Sequence, residues 1–279
     1  MLRSGLRFVV LLALVLGVAL PLRAGGLTVS SPDGRIEVEV SDEGGHATYT
    51  VSHDGKVVMP AARLGLLFAD HHGFEDNLEI GAASEVATTD ETWEQPWGER
   101  RVVRNHYNQL RVAFLANEGP RREMYVTFRV FDTGFGFRYE LYPSEGLQGD
   151  LRITDELTQF NIGADADAWW TPSRQFNRYE YITRTGKAGT VDDAHTPATF
   201  RQPSGLHIAI HEAALVDYSS MSLLALRPGS FEAALRAGAD GIKVHTTAPF
   251  KTPWRTIQIA DEAVGLINSD IILNLNEPN

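Results

Sequence analysis

From Leu27 onward apolar and polar residues alternate in short runs, and the runs are separated by turn signals. Arg35-Ile36-Glu37-Val38-Glu39-Val40 is such a run, the pattern of a strand with one buried and one wet face. Before it stands Pro32-Asp33-Gly34, where a fixed φ is followed by a residue that tolerates a positive one. Ala47–Val51 and Lys56–Met59 flank His53-Asp54-Gly55, a hairpin signal. Asp132-Thr133-Gly134 is a second, between Met124–Phe131 and Phe135–Tyr142. Further strand-like runs are Leu64–Phe68, Gln109–Leu115, Leu206–Ile210, Ser222–Leu226 and Trp254–Ile259. Only Asp261–Asn268, with Ala263, Val264 and Ile267 at helical spacing, reads as a helix. Many strands with so little helix exclude repeated βαβ units and predict an all-β chain, a large antiparallel β-sandwich with at most one or two short helices. No repeat or low-complexity linker interrupts it, so residues 25–279 read as one domain. Ile271–Asn279 reads as a final strand running into a proline-containing exit, and a chain that stops so soon after an ordered element is expected to continue.

Residues 1–24 are of another kind. Arg3 and Arg7 precede the apolar run Phe8–Leu20, and small residues surround a cleavage point at Ala24-Gly25-Gly26. The run falls short of the ~20 residues of a membrane-spanning helix and suits an export signal. The expected location is therefore the periplasm or the exterior, without a membrane association once the signal is cut. The absence of cysteine excludes disulfides, thiol nucleophiles, cysteine-ligated metals and a lipid anchor. A formal net charge of −11 argues against nucleic acid or an anionic membrane as a partner, since either needs a basic surface.

Most catalytic motifs fail on inspection. His211-Glu212-Ala213-Ala214-Leu215 begins like a zinc-protease helix but has leucine where the second histidine must stand. Gly134-Phe135-Gly136 begins like a dinucleotide loop, yet Tyr139 occupies the third glycine position and no helix follows. His71-His72 reads as a surface pair in a polar loop. What remains are three aromatic–acid clusters assigned to loops. They are Thr92–Glu99 with Arg104–Asn108, Ala168–Pro172 with Tyr179-Glu180-Tyr181, and His211–Tyr218. Aromatic faces stack on sugar rings while carboxylates and amides bind hydroxyls, so such clusters suit carbohydrate; composition alone favours core or interface packing for the same tryptophans.

Taken in order, Glu91–Glu99, Arg104–Asn108, Gly134–Tyr139, His211–Tyr218, Thr252–Ile257 and Leu273–Pro278 resemble blocks of glycoside hydrolase family 97, the exported α-glucosidases and α-galactosidases of glycan-degrading bacteria. The resemblance runs from about Leu27 to Asn279 and is to the N-terminal sandwich of that family, a supersandwich. Family members continue into a (β/α)₈ barrel that carries the general acid and the base or nucleophile, so none of the catalytic residues falls within these blocks. The resemblance implies a calcium ion shared with the barrel, to which the sandwich contributes one glutamate, and the Trp170-Thr171-Pro172 block followed by Glu180-Tyr181-Ile182-Thr183 places that ligand at Glu180. A single carboxylate supplies one or two of the 6–8 oxygens calcium takes, so binding to this chain alone is expected to be weak. Trp97, His106 and Glu212 belong to the matching blocks and are candidates for the substrate mouth, for the barrel interface or for packing alone. The implied partners are an α-linked oligosaccharide and the barrel, in the same chain or another. The implied role is the N-terminal domain of an exported α-glycoside hydrolase, inactive alone. A free-standing carbohydrate-binding protein and a subunit completing a separately encoded barrel are the alternatives.

Overall fold

The structure is a computed structural model that describes residues 26–173 and 179–277. The candidate export signal, residues 1–24, lies outside the described residues, as do Pro278 and Asn279. Every strand pairing is antiparallel, and the described strands form four sheets. The largest has eleven strands. Its main path runs Arg184–Lys187, Asp167–Trp170, Ala198–Arg201, His207–Ala213, Trp254–Ala260, Gly134–Leu141, Glu123–Phe131, Val102–Ala116, Leu78–Ala83. Phe250–Lys251 pairs beside Gly134–Leu141, and Ala87–Glu94 pairs with the first half of the long strand Val102–Ala116.

Three smaller sheets share one apolar core with its inner face. One is the meander Leu27–Ser30, Ile36–Ser41, Thr48–His53, Lys56–Arg63. Alternation sends Ile36, Val38 and Val40 inward, and Tyr49 from the next strand packs on Phe128, Phe135 and Phe137 of the large sheet. The second joins Val244–Thr247, Asp150–Glu156 and Leu66–Phe68; the third joins Gln159–Asn161, Ser230–Leu235, Met221–Arg227 and Asp193–His195, with Phe231 against Phe200. The chain is thus the expected all-β antiparallel sandwich, and the hairpin turn at Asp54-Gly55 has the two positive φ angles, 49° and 72°, that its residues suggested.

Two expectations fail. Ile271–Leu275 is a helix and not a final strand. Its β-branched pair Ile271-Ile272 favours extended backbone, but Ile271, Asn274 and Leu275 stand at i, i+3 and i+4 and bury one helical face on the outer side of the large sheet. The expected helix at Asp261–Asn268 is present as Ala263–Ile267. The aromatic–acid clusters assigned to loops lie largely on strands: Ala87–Glu94 and Val102–Ala116 for the first, Asp167–Trp170 for the second, His207–Ala213 for the third.

The glycines of Gly134-Phe135-Gly136 have a packing role. Both turn to the outer face, where a side chain on Gly136 would stand 2.4 Å from Leu275 Cδ1 of the helix lying there. Gly134 has φ 132° and a Cβ there would meet the Ile257 carbonyl oxygen at 2.2 Å, a backbone contact that cannot give way. Gly134→Ala should therefore destabilise the fold by about 1–3 kcal/mol, measured as a lower midpoint in urea; an unchanged midpoint would contradict the packing argument.

Candidate functional site

Several of the aromatic and acidic blocks singled out in the sequence converge at the outer face and one end of the large sheet. The helix Ile271–Leu275 is the hub. Asn274 Oδ1 accepts from Trp93 Nε1 at 2.9 Å, while Asn274 Nδ2 donates to the Arg104 carbonyl at 2.9 Å. Asn276 Oδ1 accepts from the backbone N–H of Ala214 at 2.8 Å. The Asn-Leu-Asn block thereby fastens the Trp93/Arg104 hairpin on one side and the His211–Asp217 segment on the other. Tyr107, Phe131, Ala213, Trp254, Ile271 and Leu275 fill the space beneath as a second apolar cluster.

The second cluster reaches the same end through His195. Tyr179 stacks on the His195 ring with centroids 4.1 Å apart, and the hydroxyl of neighbouring Thr196 is 3.1 Å from His211 Nδ1. Burial pushes the His211 imidazole below its ordinary pKa. The segment that carries Glu180 is anchored at both ends of its approach. Before it, Asp193 accepts from the backbone N–H of Ser173 and from its hydroxyl, and Arg236 donates to the Ser173 carbonyl at 2.8 Å. After residues 174–178, which lie outside the described residues, the Tyr179 stack fixes the chain again, and Glu180 follows it exposed to solvent.

The other candidates have different surroundings. Trp97 stands 70% exposed at the tip of the hairpin joining Ala87–Glu94 to Val102–Ala116. His106 is half-buried on the longer strand, its Nε2 4.0 Å from Asp90 Oδ2 and its Nδ1 buried without a hydrogen-bond partner. Arg104 forks onto the same Asp90 carboxylate at 2.8 and 2.9 Å and holds it below the usual carboxylate range. Glu212 points inward. Because His211–Leu215 begins as a strand, His211 and Glu212 turn to opposite faces, a second reason that no zinc-protease site forms.

Sequence reasoning assigned no role to the group Glu212 meets. Arg255 is fully buried and donates to Glu212 Oε2 at 2.6 Å and, through Nε and Nη2, to both oxygens of Glu156 at 2.8 and 2.6 Å. Thr158 and Tyr218 hydroxyls complete the Glu156 carboxylate at 2.7 and 3.1 Å, and the Met221 N–H donates to Glu212 at 3.2 Å. Burial pushes the Arg255 guanidinium down, but the charge and hydrogen bonds of Glu156 outweigh it and raise it further above its ordinary value. Burial likewise pushes Glu212 up, against the pull of Arg255. One signal was available: in Trp254-Arg255-Thr256-Ile257-Gln258-Ile259 the arginine shares the inward parity of the two isoleucines.

Among the described residues no group of three or more histidine, aspartate or glutamate side chains is disposed to hold a metal ion. Glu180 fits a calcium ion as a contributor, being an exposed hard-oxygen donor on a fastened segment, and needs oxygens from elsewhere to complete a shell.

Comparison with known proteins places this geometry. The model of the glycosyl-hydrolase 97 N-terminal domain matches residues 29–278. A glycoside hydrolase family 97 enzyme of Pseudoalteromonas sp. strain K8, solved as a variant with panose, is 44% identical over 91% of this chain with a TM-score of 0.87. The same enzyme with acarbose superposes with a TM-score of 0.88, again at 44% identity and 91% coverage. In both, the chain spans 38% of the enzyme's length. A beta-arabinopyranosidase, 22% identical over 85% of this chain and 40% of its own, shares the fold at a TM-score of 0.74. The chain belongs to glycoside hydrolase family 97, and what it spans is that family's N-terminal domain.

Proposed function

We propose that this chain serves as the N-terminal sandwich of an exported α-glycoside hydrolase, an α-glucosidase or α-galactosidase, that acts on α-linked oligosaccharides such as the panose held by its relative. The sandwich packs on a (β/α)₈ barrel and presents Glu180 to a calcium ion whose remaining ligands come from the barrel. The observation that carries this reading is the fastening of an otherwise exposed carboxylate. Asp193 and Arg236 hold the chain before Glu180, and the Tyr179–His195 stack holds it immediately before the carboxylate.

When bound, calcium would supply positive charge at the sugar-binding centre and orient oxygen ligands there. The contribution of this chain is to place one carboxylate at a fixed position and to hold the surrounding surface rigid. General acid and base or nucleophile would belong to the barrel, so the sandwich by itself has no hydrolytic activity in this account.

Removing calcium from the full-length hydrolase with a chelator should abolish panose hydrolysis, and calcium should restore it where magnesium, with its stricter octahedral demand, does not. Undiminished turnover after exhaustive chelation would overturn the calcium part of the proposal.

A further inference from the structure

The tryptophans divide by environment. Trp170 and Trp254 are buried, Trp93 is tied to Asn274, and Trp97 stands at a hairpin tip. Trp169 is 37% exposed and lines a surface hollow. It lies on the outer face of the large sheet, paired with Thr199 on one neighbouring strand and Thr185 on the other. From the Thr199 side the Arg201 guanidinium approaches the indole at 6.0 Å from the ring centroid and backs it. On the opposite side, towards the edge strand Arg184–Lys187, the ring opens on a hollow of ≈ 320 Å³ lined by Asp167, Ala168, Thr185, Gly186 and Lys187. That volume is at the lower end of the ~300–1,000 Å³ typical of small-ligand sites.

The rim is built and polar. Asp167 accepts from Lys187 Nζ and from Arg201 Nη2, both at 2.6 Å, and these two partners hold its carboxyl below the usual range, so it remains an acceptor. Lys187 Nζ also donates to the Asp165 carbonyl at 2.9 Å, which fixes the ammonium beside the hollow. Thr185 adds an exposed hydroxyl. A flat aromatic surface backed by a guanidinium, with a fixed acceptor, a fixed donor and a hydroxyl around it, matches the apolar face and equatorial hydroxyls of a neutral pyranose.

We propose that the Trp169 hollow is a carbohydrate-binding surface, taking one pyranose unit of an α-linked oligosaccharide against the indole. This rests on the reading that the protein handles such oligosaccharides, and it adds a place on the sandwich itself, outside the barrel. The platform holds the sugar by stacking, with Asp167, Lys187 and Thr185 as the hydrogen-bonding rim.

Titration of the protein with panose and with maltotriose, by calorimetry and by the indole N–H resonances, tests it. The Trp169 resonance should shift in a saturable way while that of the buried Trp254 stays in place. Trp169→Ala should lower the association constant about tenfold or more, and Trp169→Phe should lower it less. Thr185→Tyr, which fills the hollow and keeps the indole, should weaken binding as Trp169→Ala does; it provides the test should the alanine variant fold poorly. Saturable binding that neither Trp169→Ala nor Thr185→Tyr weakens would overturn the location and leave the hydrolase assignment standing. No saturable binding of either sugar would overturn the proposal outright, while the calcium dependence of the full-length enzyme would remain a separate question with its own answer.

Discussion

Arg255→Met should cost the fold about 3–5 kcal/mol. The methionine fills most of the volume, so the loss is electrostatic. Among the described residues Arg255 carries the positive charge that bridges Glu156 and Glu212, and both side chains of the Arg255–Glu156 pair are fully buried. Without it, two carboxylates remain in a dry interior held only by hydroxyls and a backbone N–H. The network also joins three sheets: Glu156 ends a strand of the three-stranded sheet, Arg255 and Glu212 stand on adjacent strands of the large one, and Met221 begins a strand of the third. Its loss should therefore lower cooperativity as well as the midpoint of denaturation.

The pH dependence has a definite sign. Burial raises the Glu212 carboxyl, so the folded chain binds that proton more tightly than the unfolded chain does. The stability this group contributes is full below the ordinary carboxylate range and fades as pH rises through the raised value. Removing the arginine strengthens the same effect, so the deficit of Arg255→Met should be smaller at mildly acid pH than at neutral pH. Adding Glu156→Gln and Glu212→Gln to Arg255→Met should recover part of the loss, because neutral amides are less costly to bury than charges. Urea denaturation at the two pH values measures this, and a deficit under about 1 kcal/mol at neutral pH, the size of an ordinary surface ion pair, would contradict it.

The parts of the fold that were legible in the sequence are those with one wet and one dry face. Ile36–Ser41 alternates strictly and is a strand. Ala87–Glu94 and Arg184–Lys187 are mostly or wholly exposed, carry no apolar alternation, and form strands only because Val102–Ala116 and Asp167–Trp170 offer them a hydrogen-bonding edge. That partner is remote in sequence or follows a loop, so no local pattern announces it. Ile271–Leu275 departs from its local pattern for the opposite reason: β preference is overruled by a sheet surface that Gly134 and Gly136 leave bare. The site divides in the same way. Glu180 came forward through family resemblance, whereas the contacts that fix its segment reach it from Asp193, His195 and Arg236. Arg255 and Glu156 are 99 residues apart, and their pairing exists only once the sheets have closed.

Glu180→Gln should leave this chain folded and the full-length hydrolase nearly inactive at low calcium. The substitution keeps the size of the side chain and removes its charge. At an exposed position its effect on stability should stay within about 0.5 kcal/mol. Calcium, however, is bound by ligand charge as well as ligand number, and an amide oxygen is a poorer donor than a carboxylate. The calcium concentration for half-maximal activity should rise about 10–100-fold, with turnover partly restored at saturating calcium. A purely structural role for Glu180 would instead lower activity equally at every calcium concentration.

The calcium dependence of panose hydrolysis by the full-length enzyme, with glutamate or glutamine at position 180, is the most direct test. A half-saturating calcium concentration displaced upward about tenfold or more, at unchanged thermal stability, is the result this account predicts; superimposable calcium curves for the two proteins would contradict it.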